Sequence, residues 1–253
     1  MKGSNLSWRS EVWLLPIGTL LAAVVLLVAC KKPARDIFQE GMAAYAQGDY
    51  ATAMQSWRPL ADAGDPSAQT NVGFLYSRGW GVPQDPAEAF KWYKMAAMQN
   101  YTDAEYNLAL LYRDGKGVEV NIDEAIRWFQ LAAEKGHLRA TALLGDIYYK
   151  GTGVKVDTRE AMKWFFVAAD KGDPQSQLAL GDIFAKGQGI PPDRVRAYVW
   201  YTAATMQQID ELVRARAMIA RIRLTGGMDE VELAEGERQA EEWREIKRTE
   251  ANR

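Results

Sequence analysis

Cysteine and histidine are almost missing from this sequence, with one of each in 253 residues. A single cysteine cannot build a disulfide framework, and one cysteine with one histidine cannot supply the four ligands of a structural zinc site. Charge of either sign is not in excess: 31 basic residues stand against 33 acidic ones, for a formal net charge of −2. That balance gives no electrostatic footprint for nucleic acid. A phosphate-cradling glycine loop is missing too, because every Gly-x-Gly pair sits between two helical patterns rather than after a strand. The lone histidine, His137, lies beside Gly136 with no serine or cysteine partner in view, and reads as a solvated turn residue. Carboxylates are abundant, but they fall on helical faces, where they solvate and cap. No pattern buries one or pairs two in the way a general acid requires. The expectation is a protein with no catalytic, cofactor-binding or metal-binding residue, and hence not an enzyme.

What the chain does have begins with its N-terminus. Lys2 and Arg9 precede an apolar run from Val12 to Ala29, broken only by Pro16, Gly18 and Thr19. The run ends Leu27-Val28-Ala29-Cys30, directly before Lys31 and Lys32. It is short for a spanning helix and slightly long for a simple signal peptide. Basic residues flank both sides, so charge asymmetry does not orient it. The position of Cys30 after two small residues resembles a bacterial lipobox, in which the cysteine is acylated and becomes the new N-terminus. That resemblance implies a signal peptide over 1–29, a tether over 30–35 and lipidation at Cys30. Lys31 next to it, rather than aspartate, implies an outer-membrane address facing the periplasm. The alternative is an uncleaved inner-membrane anchor in which Cys30 is an ordinary apolar residue.

The second feature is a ruler of 36 residues. Trp92, Trp128, Trp164 and Trp200 share that spacing, as do Tyr76, Tyr112, Tyr148 and Phe184. Gly79, Gly115, Gly151 and Gly187 keep it, and so do Gly81, Gly117, Gly153 and Gly189, and Ala89, Ala125, Ala161 and Ala197. Fixed self-similarity of this kind marks a repeat architecture. Within one unit, Ala68, Val72, Leu75 and Tyr76 share one helical face. The glycine pair then predicts a sharp turn with positive φ. Asp85-Pro86-Ala87-Glu88 reads as an N-cap, a first-turn proline and a capping-box glutamate, repeated as Asn121 with Glu124 and Asp157 with Glu160. Ala89, Trp92, Ala96 and Ala97 form the buried face of a second helix, with the tryptophan as the large filler between hairpins. Asn100, Gly136 and Gly172 suit the left-handed residue that closes it.

Each unit is thus a helix–turn–helix hairpin that must stack on its neighbours to bury its apolar face. The Leu/Val-Gly/Ala-x-x-Tyr run, Gly-x-Gly-Val, the Asp-x-x-x-Ala-x-x-Trp run and the Ala-Ala pair resemble the Sel1-like repeat family, a relative of the tetratricopeptide repeat. The resemblance implies an all-α, right-handed α-solenoid that works as a protein–protein interaction scaffold or adaptor in the cell envelope. Some secreted cysteine-rich members bind penicillin-type ligands, though the paired cysteines of those repeats are absent here. The alternative reading is a ligand-binding or hydrolytic protein acting on cell-wall material. Repeats are expected over 68–103, 104–139, 140–175 and 176–211. Residues 36–67 read as a shortened, tetratricopeptide-like unit, and 212–253 as capping helices. The cap is expected to be an antiparallel pair of a basic helix over 208–224 and an acidic helix over 229–248. Leu233, Gly236, Ala240 and Trp243 form the apolar stripe of the latter.

With no chemistry to place, function falls to the surface. Counting 100° per residue from Val72, the face of each first helix opposite the core carries Phe74, Ser77 and Arg78. Its counterparts are Leu110, Arg113 and Asp114, then Asp146, Tyr149 and Lys150, then Asp182 and Lys186. An aromatic, basic and acidic strip lining an inner curve suits an extended peptide or a partner helix. The alternative is a solvated groove with no specific ligand.

Overall fold

The computed structural model describes residues 32–206 and 210–252. Cys30 and the apolar run before it lie outside the described residues. Among the described residues no helix is long and apolar enough to cross a membrane. The described chain is helical throughout. A short first hairpin pairs α1 (Ala34–Ala46) with α2 (Tyr50–Asp62). Four longer hairpins follow: α3 (Pro66–Arg78) with α4 (Pro86–Ala97), and α5 (Thr102–Asp114) with α6 (Ile122–Glu134). Next come α7 (Leu138–Lys150) with α8 (Thr158–Asp170), and α9 (Pro174–Lys186) with α10 (Arg194–Met206). Two further helices, α11 (Glu211–Thr225) and α12 (Glu230–Ala251), complete the chain.

The turns obey the glycine pattern. Gly115 ends α5 in the left-handed region at φ 66°, which a side chain with Cβ rarely adopts. Gly117 has a second reason to be glycine: a Cβ there would lie 2.1 Å from the Pro86 carbonyl oxygen of the preceding hairpin. One glycine therefore turns the chain, and the other lets the turn touch its neighbour. Asp85, Asn121, Asp157 and Asp193 cap the second helices through their side-chain oxygens, as the spacing requires. The capping box, however, does not close at these sites. The backbone N–H of each cap residue already donates to the carbonyl of Tyr76, Tyr112, Tyr148 or Phe184 on the first helix. The glutamates have no donor to satisfy and turn outward, Glu88 to Lys91 and Glu160 to Lys163. Among the described residues only Asp229 with Glu232, at the start of α12, forms the reciprocal pair.

The core also differs from the tryptophan reading in one respect. Trp92 and Trp128 are buried, but Trp164 and Trp200 are only half-buried. The constant filler is the next residue along: Tyr93, Phe129, Phe165 and Tyr201, with Trp57 in the same register of the short hairpin. Trp57, Tyr93, Phe165 and Tyr201 each lie against a glycine of their own first helix, and Ala109 holds that register in the Phe129 hairpin. A Cβ on Gly41 would fall 2.3 Å from the Trp57 ring, one on Gly145 2.5 Å from Phe165, and one on Gly181 2.4 Å from Tyr201. Close packing leaves no room for even a methyl group there.

Within a hairpin the two helices pack along their length, and each second helix then packs on the next first helix. First helices of successive hairpins also touch one another directly, α3 with α5 and α7 with α9. That layering puts the first helices on the inner curve. At the C-terminal end the expected antiparallel pair does not form. Helix α11 packs on α10 and α9 as a further first helix would, while α12 packs on α10 instead of α11. Its stripe explains the choice. Gly236 sits against the Tyr198 ring, Ala240 is buried, and Trp243 meets Trp200 edge-on at 6.3 Å between ring centroids. Arg194 with Glu232, and Lys247 with Asp170, pin the two ends of α12.

Candidate functional site

The inner face is a chain of shallow depressions between successive first helices. Phe74, Ser77, Arg78, Leu110 and Asp114 line one of them, of about 160 Å³, together with Asn107 and Lys116. The Arg78 guanidinium lies 5.4 Å from the centre of the Phe74 ring. Beneath them burial pushes the Tyr93 phenol up to about 12. Arg113 turns to its neighbour instead, donating to the Asp114 carboxylate at 2.7 Å. Arg113 and Lys116 hold that carboxyl below its ordinary range. Asp146 faces a second depression with Arg139 and Tyr106, and accepts from Lys150 at 2.8 Å. Tyr149 is tied down, its hydroxyl donating to Gln188 and its ring edge-on to Phe165. Asp182 and Lys186 belong to a larger groove between α9 and α11, where Asp182 accepts from the Tyr201 hydroxyl at 2.8 Å.

The sequence strip covers only half of this face. The broadest aromatic stretch lies one turn earlier on each first helix. There Tyr45, Phe74 and Tyr106 meet Asn71, Asn107, His137 and Arg139 around a groove of about 350 Å³. The omitted positions keep the 36-residue period, as Asn71 with Asn107 and Thr70 with Tyr106 show. Extending the 100° count toward the helix N-terminus would have included them.

His137 is not a solvated turn residue. It is the N-cap of α7, taking the place that Asp65 and Asp173 hold in α3 and α9. Its Nδ1 accepts from the Ala140 N–H at 3.2 Å, and its ring stacks on Tyr106 at 4.3 Å. Only the neutral imidazole can accept that bond. Burial lowers its pKa, against a smaller opposing pull from Asp103. The native state therefore holds the proton less well than the unfolded chain. The cap's stabilisation is complete above about pH 6.5 and is lost as pH falls through the lowered value. The cap is worth about 1 kcal/mol. Melting curves should show a loss of stability between neutral pH and pH 5 that His137→Asn, which caps without titrating, lacks. Parallel pH profiles for the two proteins would contradict this assignment.

One buried polar register runs through the repeats. Gln69, Glu105, Thr141 and Gln177 are spaced by 36 residues, and all are buried. Gln69 and Gln177 donate to the Ala61 and Ala169 carbonyls of the preceding second helix, at 3.1 and 2.9 Å. A carboxylate cannot donate. Glu105 instead takes Lys135, whose ammonium also caps the Asn100 carbonyl at 3.1 Å. The second carboxylate oxygen of Glu105 has no partner among the described residues. The pair lies within the α5–α6 hairpin, away from the inner grooves, and the bond to Asn100 ties it to the hairpin before. Among the described residues no group of three or more histidine, cysteine or carboxylate side chains is placed to hold a metal ion.

Stacked hairpins with a buried aromatic seam and a grooved inner layer define an α-solenoid repeat protein. Four consecutive segments, residues 66–101, 102–137, 138–173 and 174–208, match the Sel1 repeat, and each begins at the first residue of a first helix. The chain belongs to the Sel1 repeat family. It is similar to a crystal structure of a Sel1 repeat protein from Oxalobacter formigenes. That match has 32% identity and a TM-score of 0.68, and it covers 92% of this chain and 98% of the other. A protective antigen present in uropathogenic Escherichia coli strains, displaying the same repeat fold, is 26% identical with a TM-score of 0.49. It covers 84% of this chain and 53% of the other. Among curated proteins, an exopolysaccharide production negative regulator from Rhizobium leguminosarum bv. viciae is 36% identical over 64 residues. That match takes in 25% of this chain, and the chain spans about a quarter of that relative's length.

Proposed function

We propose that this protein is a non-catalytic scaffold of the bacterial cell envelope, lipidated at Cys30, that holds a partner protein along the inner face of its solenoid. The observation that carries the reading is the inner face itself. Aromatic rings and unlike charges lie along it and two carboxamides, Asn71 and Asn107, keep the repeat spacing, while the outer layer is closed by intrahelical ion pairs. An extended peptide or a helix meets such a surface with one anchor per hairpin. The lipobox-like end of the apolar run supports the tether, and Lys31 beside it supports the outer membrane. The short match to an exopolysaccharide production negative regulator supports a regulatory role.

Pull-down from envelope fractions tests both halves. Arg78→Glu with Arg139→Glu should remove the captured partner while leaving the melting temperature within about 1 °C, because both residues are exposed. Cys30→Ser should release the protein from membranes or block its maturation. Unchanged capture would refute the inner-face reading, and unchanged membrane retention and mass would refute the lipid tether.

A further inference from the structure

The strip does not stop at α9. Helix α11 is built as a sixth first helix: Asp210 caps it as Asp173 caps α9, and buried Val213 and Ala217 take the places of Ser176 and Leu180. Among the described residues no second helix packs along it, because α12 packs on α10. The face of α11 that a hairpin partner would cover is therefore open. Met218, on that face, is 47% exposed, and Ile219 at 51%, in the register of the inner-strip Asp182, and Ile222 at 63% add exposed apolar surface beside it. Met218 stands in the register of Gly181, the residue on which the Tyr201 ring lies in the hairpin before.

Between α9 and α11 this face borders a recess of about 490 Å³. Leu178, Tyr201, Ala220 and Leu224 make its floor, and Lys186, Arg216 and Arg223 stand around it. The one acid in the recess, Asp182, is already engaged by the Tyr201 hydroxyl and by Lys186 at 3.5 Å. Among the described residues no carboxylate lies within ion-pair distance of Arg216 or Arg223. The arginines of α12, by contrast, are each paired to glutamates one turn away. The acidic helix α12 lies on α10 and leaves these arginines of α11 unneutralised.

We propose that the α9–α11 groove docks an acidic amphipathic segment of the partner protein. Its apolar side chains would fill the recess and cover Ile219, and its carboxylates would reach Arg216 and Arg223. Two cations without partners beside a desolvated apolar floor favour an acidic chain by charge complementarity. A recess between two helices admits a chain rather than a flat bilayer. This assignment rests on the inner-face reading and gives chemistry to its C-terminal end.

Fluorescence anisotropy on the full chain tests it. The probe is a labelled peptide of roughly 16 residues, about 24 Å long as a helix, with leucines three and four apart and glutamates between them. Glutamine and lysine versions of the peptide serve as comparisons. The glutamate peptide should bind about tenfold or more tightly than the glutamine one, and the lysine one not at all. Arg216→Glu with Arg223→Glu should abolish the difference at unchanged melting temperature, and Ile219→Asp should weaken binding by at least about tenfold. Equal binding of the three peptides would overturn the proposal. So would anionic vesicles binding with the same dependence on Arg216 and Arg223, or self-association of the chain that the double reversal removes. In the envelope pull-down, a partner lost with Arg78→Glu and Arg139→Glu but kept with Arg216→Glu and Arg223→Glu would refute this groove alone. A partner kept in both would refute the inner-face reading as well.

Discussion

Phe129→Ala is expected to cost about 3–5 kcal/mol, as for other fully buried aromatics, and to melt the middle of the solenoid. Its ring is 0% exposed and occupies the seam between α5 and α6. Ala109, the small residue facing it in the repeat register, cannot expand to fill the cavity. Trp128→Ala, one residue earlier, should cost less, about 1–3 kcal/mol. Trp128 is larger, but its indole N–H reaches a surface glutamate, Glu124, and Arg127 covers its face. Water can take over those roles after truncation. Solenoid stability is a sum of hairpin and neighbour terms, so both losses fall on one junction. Denaturant melts of the two variants check the order. A larger loss for Trp128→Ala would show that the repeat is built around its tryptophan.

Lys135→Ala should be the next most damaging change, at about 2–4 kcal/mol. Removing one partner of a buried pair leaves the other charge without compensation. Glu105 is 0% exposed, whereas the Lys135 side chain is one-third exposed, so some of the cost is relieved by water. The same substitution in a Glu105→Gln background should cost under about 1 kcal/mol. A neutral amide at this register has the role that Gln69 and Gln177 already perform, donating to a carbonyl of the preceding helix. The double-mutant cycle should therefore give a coupling of about 1–3 kcal/mol. Equal losses in the two backgrounds would mean that Lys135 acts only through the Asn100 carbonyl.

Most of this architecture was legible because each unit has little freedom. Positive-φ glycines, cap residues and alternate small and aromatic residues are local requirements, and repetition multiplies them into a pattern. The departures have a common cause: they depend on what faces a residue across the hairpin. Trp128 and Phe129 are indistinguishable by hydrophobicity, and only the gap above Ala109 and its glycine equivalents selects the second. The glutamates after Asp85 and Asp157 match a capping box, but a first-helix carbonyl already accepts from the cap residue's N–H and makes it superfluous. Nothing in the residues of α12 says that Gly236 will seat on Tyr198 rather than along α11. The inner face was read from the middle of each helix, so the strip found Phe74 and Arg78 and missed Asn71 and Asn107. His137 lacked the aspartate that marks a cap in its neighbours.

The central claim is that the inner layer of first helices holds the partner. Photocrosslinkers placed singly at Asn107 and Ala142 on the inner face, and at Arg127 and Lys163 on the outer layer, test it most directly in envelope preparations. The account predicts one crosslinked species shared by the two inner positions and absent from the two outer ones. Crosslinks confined to Arg127 and Lys163 would contradict it.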